Sequence, residues 1–466
     1  MEQSNPNQPR RGTETGWWVF TFVISMVALL FGIIAVVASN NDSTSTSAGA
    51  SNAAASNAKT EYDVSLADLS VTPSSIEVPA GEQITLHVTN NGAIPHDLKV
   101  QGTTGTAMLD PGTSETIVVG PFTETTQAWC TVPGHKAAGM LMDIKVAGAA
   151  IDPSTAPPAA DTETAFAKVD PAAAPSADWV PRDSRLPAAP SGTLHEINFD
   201  ATEKLMEVAP GVTQMMWTFN DTVPGPTLRG KVGDTFRITL TNKGALGHSI
   251  DFHASKVAWD DEMRTIQPGE SLVYEFTAQA SGIWMYHCGT APTLHHIGNG
   301  MYGAVVIDPP DLTTVEEEFL FVQSEMYYGP QGEPGDLTKM LNDQWDAVVF
   351  NGYHSQYKHS PIRVEAGKTY RAWVIDDGPN ENSSWHIVGT QFTTVYKEGA
   401  YLLRPDDNFG AAQVIDLQPA QGGFVEFSFD EDGLYPFVTH KFSNPGKGAL
   451  GFFAVGDVDT SALGTH

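Results

Sequence analysis

TLRGKVGDTFRITLTN, residues 227–242, is the stretch on which the fold turns. Gly233 opens a turn, and the residues after it alternate between apolar or β-branched and polar, the pattern of a half-buried strand. The phrase stands twice more, as SSIEVPAGEQITLHVTN at 74–90 and SPIRVEAGKTYRAWVID at 360–376, with Gly81 and Gly367 in the place of Gly233. A second turn-and-strand phrase follows each copy: LDPGTSETIVV at 109–119, IQPGESLVYEF at 266–276 and LQPAQGGFVEF at 417–427. Repetition of this kind, without sustained helical periodicity, predicts an all-β chain built from three copies of one β-sandwich. The copies are expected near 61–147, 192–310 and 316–458.

The intervening sequence is of a different kind. Residues 17–38, WWVFTFVISMVALLFGIIAVVA, are an uncharged run of 22, long enough as a helix to cross a ~30 Å hydrocarbon core. Arg10 and Arg11 precede the run and no Lys or Arg follows until Lys59. The positive-inside bias therefore leaves residues 1–16 in the cytoplasm and exports the rest. This predicts a single-pass anchor in the cell membrane with extracytoplasmic sandwiches. A cleaved signal peptide is the rival, but the apolar core is longer than the usual ~7–15 residues. Residues 39–60 read as a flexible tether and the Ala/Pro-rich 148–191 as a stiffer linker. With 25 Lys and Arg against 55 Asp and Glu, the net charge of −30 repels phosphate backbones and excludes nucleic acid as a partner. It also repels small anions, so an anionic substrate needs a locally positive site such as a metal ion.

Two cysteines in 466 residues make no disulfide framework, and each stands among histidines. In the first segment PHDL supplies His96, and WCTVPGHKAAGM supplies Cys130, His135 and Met140 at two spacings of five. Two imidazoles, a thiolate and a weak axial thioether are the ligand set of a mononuclear blue-copper centre; Met142 is the weaker axial candidate. The second segment repeats the set. HSIDFH supplies His248, fifteen residues after Gly233 as His96 is after Gly81, and YHCGTAPTLHHIGNGM supplies Cys288, His296 and Met301. The five-residue step to Met301 favours His296 over His295. Alternation along a strand puts Asp251 and His253 on the face opposite His248, and turns His287 away from Cys288. A second metal site is expected on that other face. The third segment has no Cys but keeps His386 in SSWHIVG and His440 in FVTHKF. One of these completes a three-histidine site with His253 and His287, leaving a position open to substrate. His354 and His359 in YHSQYKH read as solvated loop residues.

Together FNDTVPGPTL, HSIDFH, YHC, HHIGNGMYGAVVI, VVFNG, WHIVG and YPFVTHKF, in that order over about 192–458, resemble the copper-containing nitrite reductases. Residues 61–147 resemble a plastocyanin-like or azurin-like cupredoxin fused ahead of them. The resemblance implies three cupredoxin-like Greek-key domains, with two type 1 coppers and one type 2 copper per chain. His96, Cys130, His135 and Met140 would hold one type 1 copper, and His248, Cys288, His296 and Met301 the other. His253 and His287 would bind type 2 copper with His440 from a neighbouring subunit of a homotrimer, while Asp251 and His386 relay protons to nitrite. It implies one-electron reduction of nitrite to nitric oxide, with electrons from an external cupredoxin, cytochrome c or quinol-linked protein entering through the tethered domain. Two positions depart from the family: His295, where an aromatic usually precedes the second type 1 histidine, a change that bears on electron entry at the protein surface, and Gln391, where a second histidine usually follows WHIVG, a change that bears on the water network near His386. Two rivals stand against this reading. A multicopper oxidase needs His-x-His pairs, which the 14 histidines do not form; a membrane-anchored copper electron carrier would show no turnover.

Overall fold

The computed structural model describes residues 59–463 except 68–69, 93, 133–134, 137–139, 147–168, 170–172, 407–408 and 462. The expected membrane helix at 17–38, the cytoplasmic tail and nearly all of the tether lie outside the described residues. Among the described residues no helix is long and apolar enough to cross a membrane.

The chain is all-β, with a cupredoxin-like fold. Among the described residues its strands form six sheets, and the two repeated phrases explain their frame. The first phrase becomes the strands Ile84–Asn90, Thr235–Asn242 and Thr369–Asp376, and the second becomes Ser114–Val119, Ser271–Thr277 and Gly422–Ser428. In each copy the two pair antiparallel. On its other side the first-phrase strand takes a parallel partner, Glu61–Ala67, Leu194–Ala209 or Glu318–Met326. Gly81, Gly233 and Gly367 all sit at positive φ, +74°, +95° and +73°, which a side chain would resist. Their amides bond alike to carbonyls beyond the second phrase, at Phe122, Ala278 and Phe429.

Each pair of sheets closes over its own apolar core: Leu66, Leu86 and Ile144 in the first, Phe199, Ile238 and Tyr286 in the second, Phe321, Trp385 and Phe437 in the third. The strands at 84–90 and 235–242 alternate buried with half-exposed residues, as a strand covered on one face should. The expectation of a half-buried strand fails in the third copy, where every residue after Thr369 is buried. Tyr370, Ala372 and Val374 enter the third core, while Trp373 and Ile375 enter another apolar cluster with Val208, Met216, Met285 and Tyr302 of the second copy. The second and third copies thus share a core. The end of the Ala/Pro-rich stretch is fastened across both: Leu186 lies in the shared core, the Arg182 guanidinium bonds the Pro224 and Gly225 carbonyls, and Leu186 N–H bonds the Glu318 carbonyl.

Candidate metal centres

The loop that carries the first histidine is pinned by the last residue of the repeated strand. Asn90 Nδ2 donates to the Ile94 and Leu109 carbonyls at 2.8 Å each, and Asn242 Nδ2 to those of Leu246 and Ile266 at 2.7 and 2.9 Å. Each asparagine oxygen accepts the amide two residues on, from Gly92 and Gly244. His96 then exchanges backbone bonds with Leu109, and His248 with Ile266. The cysteine turns match as well. Cys130 N–H bonds Met140 O and Met140 N–H bonds His135 O; Cys288 N–H bonds Met301 O and Met301 N–H bonds His296 O. Five-residue spacing is what this closed turn requires.

The result is two buried groups, His96 with Cys130 and His135, and His248 with Cys288 and His296, each with ligand-type atoms within 4.8 Å of one another. Met140 and Met301, both wholly buried, are tied to them through the turns; Met142 is buried in the strand Leu141–Val146. Cys130 Sγ is 3.8 Å from His96 Nδ1 and 3.5 Å from His135 Nδ1. In the second group His248 Nδ1 and His296 Nε2 are buried with no hydrogen-bond partner, a costly state unless something is bound. Soft sulfur with two imidazoles and a nearby thioether fits copper.

Charge distinguishes the two groups. Burial and the Asp97 carboxylate push the Cys130 thiol up to about 12 against the pull of backbone amides. Burial also raises Cys288, but His248 beside it and amides from Ser249 and Thr290 bring it below the ordinary thiol value. Burial and the neighbouring His248 drive His296 down to about 3, which keeps its lone pair free. His248 Nε2 lies 3.4 Å from Glu203 Oε1. Burial works to raise the Glu203 carboxyl, but His248 and the Ala245 and Leu246 amides hold it below the usual range.

A third group, Asp251, His253 and His287, is half-buried on the opposite face. Asp251 pairs across the sheet with His287, and their Oδ2 and Nε2 are 3.8 Å apart. His253 Nε2 and His287 Nε2 stand 3.1 Å apart, with rings near perpendicular at 86°. Burial and the neighbouring His287 lower His253. His287 Nδ1–H donates to the Cys288 carbonyl at 2.9 Å, which fixes the tautomer and leaves the Nε2 lone pair to a ligand. Consecutive residues therefore serve two groups. Asp251 and His253 also line a cleft of about 460 Å³ with Trp284, Glu398 and Ala420.

His386 and His440 do not join that group within one chain. They lie on paired strands, Ser383–Ile387 and Gly433–Thr439 and its continuation, with ring centroids 5.4 Å apart. His386 Nδ1–H donates to the Gln413 carbonyl at 2.6 Å. His440 is exposed, and Phe442, 70% exposed, lies against it; Val388, in the turn after the strand of His386, is exposed as well.

Some sequence expectations are corrected. His295 is wholly buried, its Nε2–H bonding the Gly335 carbonyl and its ring against Trp217, so it presents nothing at the protein surface. His354 is buried, not solvated; burial and nearby His359 lower it to about 4. His359, half-buried, ends the short helix Gln356–His359 rather than lying in a loop. Sequence reasoning also missed Glu203, which arrives from a distant strand without a motif, and Asn90 and Asn242, which the repeat does mark as the matching ends of its strand.

Comparisons with known proteins bear on this geometry. A family model described as multicopper oxidase matches residues 200–312, and one described as cupredoxin-like domain matches 29–153. The chain is 35% identical over 282 residues to the copper-containing nitrite reductase of Neisseria meningitidis serogroup A, covering 58% of this chain and 72% of the relative. The solved copper nitrite reductase of Nitrosomonas europaea is 30% identical with a TM-score of 0.52, over 57% of this chain and 96% of that one. A solved multicopper oxidase is 29% identical with a TM-score of 0.51, over 62% and 98%.

Proposed function

The chain belongs to the copper-containing nitrite reductases, oxidoreductases, and from that membership we propose how its three groups divide the one-electron reduction of nitrite to nitric oxide and water. The observation that carries this reading is the adjacency of His287 and Cys288 in two different groups, joined by a peptide bond and by the His287–Cys288 hydrogen bond. His248, Cys288, His296 and Met301 hold a type 1 copper. His253 and His287 hold a type 2 copper with His440 of the partner subunit in a homotrimer. Copper so held supplies one-electron transfer and a positive point of attachment for nitrite.

The remaining work falls to side chains. Asp251 lines the cleft beside His287 and passes protons to nitrite; two protons are consumed for each nitrite reduced. His386 has its Nδ1–H engaged, so its Nε2 is the atom that orders water. Because His386 and His440 stand side by side on one exposed surface, a single neighbouring copy delivers both. The exposed Phe442 and Val388 support contact at that surface.

The unit near 61–147 holds a further type 1 copper on His96, Cys130, His135 and Met140, and passes electrons from an external donor to the two units near 192–310 and 316–458. Residues 17–38 anchor it in the cell membrane with its centres outside the cytoplasm. The test is copper content and nitric oxide production of the exported region beside His440→Ala. One copper per group, three per chain, falling to two with loss of nitric oxide in the variant, is the expected result. Two in both without nitric oxide would leave an electron carrier, and oxygen consumption without nitric oxide a multicopper oxidase.

A further inference from the structure

The residue after the first histidine differs between the two cysteine-containing groups. Asp97 follows His96 and Ser249 follows His248, at matching positions in the repeat. Both backbone amides face the cysteine sulfur, and Ser249 N lies 3.4 Å from Cys288 Sγ. The side chains part company. Asp97 is 2% exposed and its carboxylate accepts from Thr131 N and Thr131 Oγ1, at 2.6 Å each, on the residue that follows Cys130. Ser249 Oγ accepts from Gly289 N at 3.0 Å and Thr290 Oγ1 at 3.1 Å. Its own proton is left for Cys288 Sγ, 3.9 Å away.

We infer that this pair of residues sets the order of the two reduction potentials, Asp97 holding the first centre below the second so that electrons run from the first unit into the core. The inference rests on the copper reading above. Reduction removes one positive charge from a centre. A buried carboxylate beside the thiolate favours the more positive, oxidised state, whereas a hydroxyl donating to the sulfur drains thiolate charge and favours the reduced state. Both differences act in the same sense. Glu203 opposes them at the second centre, but it lies at the Nε2 edge of His248 and divides its charge among His248, Ala245 and Leu246. One electron moves from the reduced first centre to the oxidised second, with no bond made or broken, and the external donor restores the first.

The test is a redox titration of the copper-loaded full chain, followed by the thiolate-to-copper absorption of each centre. Cys288→Ser isolates the first centre and Cys130→Ser the second. The first midpoint is expected below the second. Asp97→Asn, and Asp97→Ser should the amide variant fold poorly, are expected to raise the first by at least tenfold in its reduction equilibrium, ~59 mV for one electron. Ser249→Asp is expected to lower the second. A first midpoint that lies above the second, or that neither Asp97 variant moves while the absorption persists, overturns the inference. Absence of the absorption band from the Cys288→Ser protein overturns instead the copper reading of the first group, and the inference with it.

Discussion

The second and third sandwiches share a frame and differ at the end of one strand. Both place the first phrase between a parallel and an antiparallel neighbour and close the glycine turn with the same bond. In the second, the strand ends on Asn242, whose amide ties down the loop of His248. In the third it ends on Asp376, which lacks the two amide N–H donors of an asparagine; its Oδ2 is buried without a partner, and burial with nearby Glu325 holds its carboxyl well above the usual range. The third copy has no cysteine, and its His386 and His440 lie toward the surface, half-buried and exposed. A sandwich is therefore not in itself a metal site. The donor at the strand end makes a loop rigid enough to present ligands inward, and a copy lacking it is free to offer them to a neighbour.

Five substitutions test this contrast. The largest effect is expected from His440→Ala, which should cut nitric oxide production more than ~1,000-fold, the several kcal/mol a metal supplies, and remove one copper per chain. Retained activity would mean that the third copy lends nothing. Asp251→Asn should lower turnover by ~100-fold or more while copper content holds, as loss of a general acid does; turnover and metal analysis on one sample separate the two effects.

Asn242→Asp imposes the third copy's residue on the second and strips donors from two buried carbonyls, a cost of ~1–3 kcal/mol for each group left unsatisfied, with loss of type 1 absorption from that centre. Urea unfolding checks it. Asp376→Asn works in reverse. A carboxyl raised on folding binds its proton more tightly in the native state, so its contribution to stability is full below the unfolded value of ~4 and falls as pH rises. Burial pushes Glu325 in the same direction, to about 8. The variant should lose less stability than wild type between pH 5 and pH 8, and equal losses would show that Asp376 does not titrate there. The smallest effect belongs to Ala420→Gly. Ala420 takes φ +67° where the other copies have Gly112 and Gly269, so glycine should stabilise by less than ~1 kcal/mol once its unfolded-state entropy is counted.

Much of this was legible in the residues. Two repeated phrases marked the framing strands of every copy, though not how they pair, and the five-residue His-to-Met spacings marked the cysteine turns. Alternation in HSIDFH separated His248 from Asp251 and His253, as the strands now separate them. What escaped was whatever depends on neighbours distant in sequence. Glu203 reaches His248 across 45 residues, and nothing near either residue signals it. His295 and His354 are buried because Trp217, Gly335 and Gly448 close over them, contacts that no local pattern encodes. The strand at 369–376 is buried on both faces because the second copy covers it, a property of how two copies pack rather than of either alone.

The His287–Cys288 step also bears on what can be inherited. One residue changes face with every position along a strand, so a single residue inserted between these two would turn both side chains to one side. Neither could then be repaired without losing the other. The pair behaves as one heritable unit, in which surrounding loops can lengthen or shorten freely while the junction admits no change of count.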